Sequence, residues 1–349
     1  MKARAIAFYL PQFHPIPEND LWWGKGFMEW TNVTKAKPLF RGHLQPKLPA
    51  DLGFYDLRVP ETRIAQADLA RENGIEGFCY WHYWFGNGKM LLERPFQEVL
   101  RSGEPDFPFC LAWANQTWTG VWHGAPNRVL VEQTYPGMED YKQHFYKMLP
   151  AFEDPRYIRV DGLPLFLVYA PGELPDARQF TDCWRELALK EGLGGIHLMA
   201  VAHKGWQPED HGFDSATFHP PLALKRKNKA TGLLSNLLGH KKPEIIRYEE
   251  FIAEFRYDIN LEECYFPTVL PNWDNTPRSG SNGVVLKDST PELFGKHLEN
   301  AIKAVDNRPS ERRIVFIKSW NEWAEGNYLE PDTNFGHEYL DVIKSLAIG

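Results

Sequence analysis

The stretch Ile314-Val315-Phe316-Ile317-Lys318-Ser319-Trp320-Asn321-Glu322-Trp323-Ala324-Glu325-Gly326 decides how this chain is read. Its first four residues are β-branched or aromatic, and a continuous apolar run of that kind suits a parallel strand covered on both faces. The run ends abruptly in indoles, an amide and two carboxyls. Ligands of parallel sheets meet the carboxyl ends of the strands, so this junction is where chemistry is expected. Glu322 and Glu325 stand three residues apart, and a helical turn after the strand would put both carboxyls on one side, about 5–6 Å apart at Cβ. Most glutamates at that spacing simply solvate a helix. Here Trp320, Asn321 and Trp323 flank them, and indoles around a carboxyl raise its pKa, as a general acid working near neutral pH requires.

Working outward, further short apolar runs occur at 4–10, 77–81, 107–113, 163–169, 196–201, 215–219 and 264–270. With 314–318 they make eight candidate strands. Helical segments are expected between them at 62–73, 137–152, 177–191 and 291–306, the last with Thr290 as its N-cap. Such alternation predicts an α/β fold, and eight units predict a (β/α)8 barrel of the TIM type with elaborated βα loops. The 349 residues suffice for one catalytic domain over 1–349. No GxGxxG follows the first run, so a dinucleotide site is not expected.

The ends of the runs carry side chains that hydrogen-bond or stack. Tyr9 and His14 close the first, Trp81, His82, Tyr83 and Trp84 the second, Trp113 and Asn115 the third, and Tyr169 the fourth. His203 ends the fifth, His219 the sixth and Trp273 the seventh, while Trp320 and Asn321 accompany the glutamates. In a barrel all of these ends share one rim. Any one histidine alone reads more simply as a satisfied core group. Two insertions modify the rim. A long aromatic loop at 17–57 brings Glu29 and Trp30 and is expected to fold over the pocket. A basic loop at 224–248 interleaves Lys and Arg with leucines, as a solvated excursion or as a weak contact with an anionic membrane surface.

Composition narrows the class. A formal net charge of -7 argues against a nucleic-acid partner, which needs an excess of Lys and Arg on one face. Thirteen Trp, many in polar company, suit the faces of sugars. Cys79, Cys110, Cys183 and Cys264 are far apart and read as buried thiols of a reducing compartment. No secretory signal or 18-residue apolar span is visible, so a cytoplasmic location is expected, or a periplasmic or secreted one if a leader was removed. No cofactor or metal is expected: His82, His219 and Asp274 lack ligand spacing.

The segments Ala7–His14, Trp22–Val33, Gly77–Phe85, Trp113–Asn115 and Trp320–Gly326 together resemble the WbsX-type family, often labelled glycosyltransferases of bacterial polysaccharide loci. Through it the chain is similar to glycoside hydrolase family 99, whose members are (β/α)8 barrels cutting α-mannosidic linkages within a glycan with retention. That second likeness rests mainly on the Asn-Glu-Trp-x-Glu-Gly motif. It implies Glu322 as the base acting on a sugar 2-hydroxyl and Glu325 as the general acid/base, through a 1,2-anhydro intermediate. It further implies Trp81, Tyr83, Trp84 and Trp113 against sugar faces, with His82, Asn115, His219 and Asn321 on hydroxyls. Ala324 and the rim loops depart from family 99, which leaves mannose specificity open.

Three functions therefore compete. The first is a retaining, endo-acting glycoside hydrolase on a bacterial-type or mannan-like polysaccharide. The second is a glycosyltransferase of surface polysaccharide biosynthesis, building O-antigen or capsule. The third is a non-catalytic carbohydrate-binding protein, which would leave two desolvated glutamates without a task.

Overall fold

The computed structural model describes residues 2–120, 125–203, 205–218 and 242–348. All eight expected runs form strands of one parallel sheet. In chain order they are Arg4–Tyr9, Ile75–His82, Phe109–Trp113, Leu163–Val168, His197–Ala202, Ser215–Phe218, a divided seventh, and Ile314–Ile317. The seventh consists of Tyr265–Phe266 and Thr268–Val269 on either side of Pro267. Proline has no N–H for the ladder, which interrupts the strand but leaves its carbonyl to accept from Phe316 N at 2.9 Å. The first piece pairs with the sixth strand and the second with the eighth. The eighth in turn pairs with the first, from Arg4 opposite Ile314 to Ala7 opposite Ile317. The sheet thus curls into a nearly closed barrel with helices outside.

Burial explains why these runs become strands. Ile314, Val315, Phe316 and Ile317 are fully buried, as are Leu165 to Val168, because one face fills the barrel and the other packs under helices. Inside, Phe8 stacks on Trp81 at 4.8 Å and on Phe316 at 5.6 Å. The expected helices appear as Pro60–Glu72, Met138–Phe152, Ala177–Lys190 and Pro291–Val305. Thr290 Oγ1 caps the last, accepting from Leu293 N at 3.3 Å. The first begins two residues before its expected start because Pro60 occupies its first turn, where a missing N–H costs nothing.

Other elements escape the periodic pattern. A helix, Arg94–Ser102, follows the second strand, and a hairpin of Trp118–Gly120 with Ala125–Val131 follows the third. The segment at 17–57 contains two short helices, Pro17–Trp23 and Glu29–Lys35. Of the basic segment expected at 224–248, residues 224–241 lie outside the described residues, and so does His219. Its tail is not loop: Glu244–Arg247 pairs in parallel with Val284–Lys287, and Tyr248 opens a helix to Glu254. Ile246, Tyr248, Phe251, Leu270, Trp273 and Leu286 form a small second core there. Cys79, Cys110 and Cys183 are buried and Cys264 is half-buried, none in a disulfide. Among the described residues no helix is long and apolar enough to cross a membrane.

The second strand runs very close to its neighbour at Gly77. A Cβ there would lie 2.4 Å from the Pro108 carbonyl oxygen and 2.8 Å from Ile158 Cδ1. Gly77→Ala is therefore expected to destabilise the barrel by about 1–3 kcal/mol, read as a lowered urea midpoint at unchanged slope.

Candidate active site

The eighth strand delivers the two glutamates by a route other than an α-helix. After a cis peptide between Lys318 and Ser319, Asn321–Glu322 pairs antiparallel with Asn327–Tyr328. Trp323–Glu325 between them forms one 3-10 turn. Side chains three residues apart eclipse one another in that geometry, so Glu322 and Glu325 address the same cavity. Gly326 ends the turn at φ 54, and a Cβ there would stand 2.8 Å from Asp274. Only glycine meets both demands. Asn321 does not face the cavity but fastens the motif to the first strand: its Oδ1 accepts from Leu10 N at 2.7 Å and its Nδ2 donates to Leu10 O at 3.1 Å. Ser319 Oγ accepts from Glu322 N at 3.2 Å and donates to Asn327 O at 2.9 Å.

The cavity, about 450 Å³, opens where the barrel strands end. Glu322, Glu325 and Lys318 form its floor with Trp81, Tyr83 and Tyr169. The helices at 17–35 contribute Asn19, Trp22, Trp23, Glu29 and Asn32 to one wall, and Trp118 of the hairpin lies in another. Arg278, on the short helix Thr276–Ser279, enters from the side.

Charge is concentrated at this floor. Glu322 is 6% exposed; its Oε1 accepts from Trp81 Nε1 at 2.9 Å, and its Oε2 has no partner among the described residues. Burial pushes the Glu322 carboxyl up to about 7; Lys318 and Arg278 oppose that rise, while the neighbouring Glu325 adds to it. Arg278 donates from Nη1 to Glu325 Oε1 and from Nη2 to Glu29 Oε1, both at 2.7 Å. Burial works against the guanidinium charge, but Glu29, Glu325 and Glu322 outweigh it and raise its pKa. Glu29 also accepts from Ala324 N at 3.0 Å, yet burial still raises its carboxyl above the usual range. Burial likewise opposes the Lys318 charge and is outweighed, chiefly by Glu322; its ammonium lies 5.3 Å from the centre of the Trp273 ring.

A further shell holds this one in place. Asp274 N donates to the Glu325 carbonyl at 2.7 Å. Its carboxylate accepts from His43 and Gln45 at 2.7 Å each and from Thr276 Oγ1 at 2.6 Å. Although burial opposes it, those bonds and Lys47 hold the Asp274 pKa down. Glu330 sits beneath, accepting from Tyr55, Gln66 and Trp323.

Of the residues expected at the rim, Glu29, Trp81, Tyr83, Tyr169, Glu322 and Glu325 come together at the cavity. The others among the described residues serve the walls from behind. Strand alternation decides the second run: Trp81 and Tyr83 face the cavity, so His82 and Trp84 turn the other way. His82 shares a 2.8 Å hydrogen bond with His144, and Trp84 stacks on His144 and donates to Asp140. Trp113 donates to the Trp84 carbonyl, and Asn115 bonds Tyr135 and both backbone groups of Ala170. Tyr9 donates to Gln66, Trp30 to the Tyr55 carbonyl, and His14 is buried against Pro11 O. Trp320 is buried against Phe78, and Trp273 packs in the second core. The sequence reading does not single out Arg278, Asn19, Trp118 or Lys318. A lysine ending an apolar run was a usable signal for the last, whereas Asn275-Thr276-Pro277-Arg278 looks like any polar turn.

Comparison with known proteins adds context. The chain is 40% identical over 350 residues to a protein of Xanthomonas campestris pv. campestris named "Uncharacterized protein WxcX", covering 99% of this chain and 49% of that protein. It thus spans about half the length of that relative. Among solved structures, a "Glycoside hydrolase-like protein" superposes with a TM-score of 0.61 at 16% identity, over 98% of this chain and 93% of that one. The GH99 endo-alpha-mannosidase from Bacteroides thetaiotaomicron does so with a TM-score of 0.60 at 14% identity, over 99% and 96%. At such identities these likenesses speak to the (β/α)8 fold alone. The family described as Glycosyltransferase WbsX matches residues 5–343, and the chain belongs to that family.

Proposed function

We propose that this chain is a retaining, endo-acting glycoside hydrolase on a bacterial-type or mannan-like polysaccharide, working through Glu322 and Glu325. One observation carries the reading: Glu322 is fixed at Oε1 by Trp81, unpartnered at Oε2 among the described residues, and lines the same aromatic cavity as Glu325. With one carboxyl poised near 7, the pair can hold a single proton around neutrality. One base and one acid are what the reaction consumes.

In this mechanism Glu322 takes the proton from a sugar 2-hydroxyl as that oxygen attacks its own anomeric carbon. Glu325 protonates the departing glycosidic oxygen, so the glycosidic C–O bond breaks as the 1,2-anhydro ring forms. Water then attacks the anomeric carbon, Glu325 takes its proton, and the opening ring oxygen recovers the proton held by Glu322. Two inversions give retention. Trp81, Tyr83, Trp22, Trp23 and Trp118 supply the π faces for sugar rings. The family description favours a second reading, a transferase, in which an acceptor sugar hydroxyl replaces water in the last step. The charge pattern supports the hydrolase more, because Arg278 and Lys318 already face Glu29, Glu322 and Glu325 and would have to leave them to hold a diphosphate.

Reducing-end release from a panel of bacterial and fungal polysaccharides tests the proposal. Glu322→Gln and Glu325→Gln should each lower turnover by roughly 10²–10⁴-fold while the protein stays folded. Release that survives in both variants would sink it, and stabilisation by a nucleotide sugar with no release from any glycan would favour the transferase.

The pH dependence has a definite sign. Glu322 must be unprotonated to accept the 2-hydroxyl proton, and its carboxyl sits at about 7. kcat/KM should therefore climb about tenfold per unit below that pH and level off above it until the acid limb begins. A profile already flat from pH 5 to 7 would remove Glu322 from the role of base.

A further inference from the structure

Glu325 does not meet the cavity alone. The Arg278 guanidinium that reaches it at 2.7 Å reaches Glu29 at the same distance through its other terminal nitrogen. Glu29 is 1% exposed and accepts the Ala324 N–H, so its carboxylate is tied to the backbone just before Glu325. Three separate elements, the helices Glu29–Lys35 and Thr276–Ser279 and the turn Trp323–Glu325, thus converge on one planar cation. Asp274 fixes that convergence from the far side, receiving Thr276 and donating to the Glu325 carbonyl.

This geometry bears on proton transfer. A guanidinium committed wholly to one carboxylate holds it ionised, and an ionised Glu325 could not protonate a leaving oxygen. A guanidinium divided between two carboxylates leaves each with less of its field, and Glu29 adds its own negative charge beside Glu325. We infer that Glu29 is a positioning residue that draws the Arg278 charge partly away from Glu325, so that Glu325 can hold and release a proton in the cavity. The inference rests on the reading of Glu325 as acid/base. The remaining groups facing Glu325 are Glu322 and Lys318 from the eighth strand and its turn, Tyr83 beyond the second strand and Tyr169 beyond the fourth. Arg278 also acts on Glu322, Lys318 and Tyr83, and Glu29 on Tyr83, but of the two only Arg278 touches Glu325 directly, at 2.7 Å, so the sign of each substitution is set by that contact and by the Glu29 charge beside it.

The test is a carboxyl ¹³C NMR titration of protein labelled at glutamate Cδ. It is made in a Glu322→Gln background, so that the neighbouring carboxyl is silent, and Glu325 is assigned by its loss in Glu325→Gln. Glu29→Gln, nearly isosteric, should move the Glu325 titration to lower pH, and Arg278→Gln should move it to higher pH. The double variant, which removes a neutral pair, should return it close to its starting value. No movement in Glu29→Gln, or movement upward, would overturn the inference. If Arg278→Gln does not fold, Arg278→Lys keeps the charge but not the fork. A Glu325 titration that then responds less to Glu29→Gln, through the Glu29 charge alone, supports the divided guanidinium, and an undiminished response overturns it. The titration needs no glycan, so its failure is distinct from failure of the glycosidase reading, which the Glu325→Gln turnover assay reports. In an active enzyme with Glu322 intact, Glu29→Gln should move the alkaline limb of the kcat/KM profile downward.

Discussion

Burying charge is the constraint on which the rest of this structure depends. Three carboxyls and two cations line one cavity, and charges buried there persist only beside opposite ones. Arg278 is kept charged only because Glu29, Glu325 and Glu322 surround it, and Lys318 chiefly because of Glu322. Such a cluster adds little net stability. What it provides is a fixed set of fields in a place from which much of the water is excluded, with one carboxyl left poised where a small change in its surroundings changes its protonation. The barrel strands, the amide clamp of Asn321 and the hydrogen bonds of Asp274 all serve to hold these five side chains at their separations.

The rim insertion belongs to this cluster as much as the barrel does. Glu29 comes from its second helix, and His43 and Gln45, further along it, grip Asp274. The same segment lays Trp22 and Trp23 along the cavity wall. A barrel stripped of residues 17–57 would lose one carboxylate, one wall and the support of Asp274 together. The elements that set electrostatics and those that set shape are therefore the same stretch of chain.

How much of this was legible in the sequence follows from the range of each signal. The strands were readable because burial on both faces imposes a continuous apolar run, and even the seventh strand, broken at Pro267, kept its outline. The Trp320–Gly326 motif was readable because its residue types are unusual at a strand end. Which rim residues turn inward was not, since a two-residue alternation reverses with a one-residue error in phase: Trp81 and Tyr83 face the cavity, while His82 and Trp84 pack behind it. Arg278 was invisible because its role comes from Glu29 and Glu325, 249 and 47 residues away. Asn321 illustrates the same limit from the other side, a polar residue within the motif whose amide is consumed by the Leu10 backbone.

That amide clamp also bears on how the molecule is made. Leu10 and Asn321 are 311 residues apart, and the first and eighth strands pair only across that span. On a ribosome the first strand emerges with an open edge and keeps it until the eighth strand, its neighbour on one side, has followed. The order of emergence makes this end of the cavity wait for the eighth strand, and the nascent chain carries no assembled carboxylate cluster until Glu322 and Glu325 have joined Glu29.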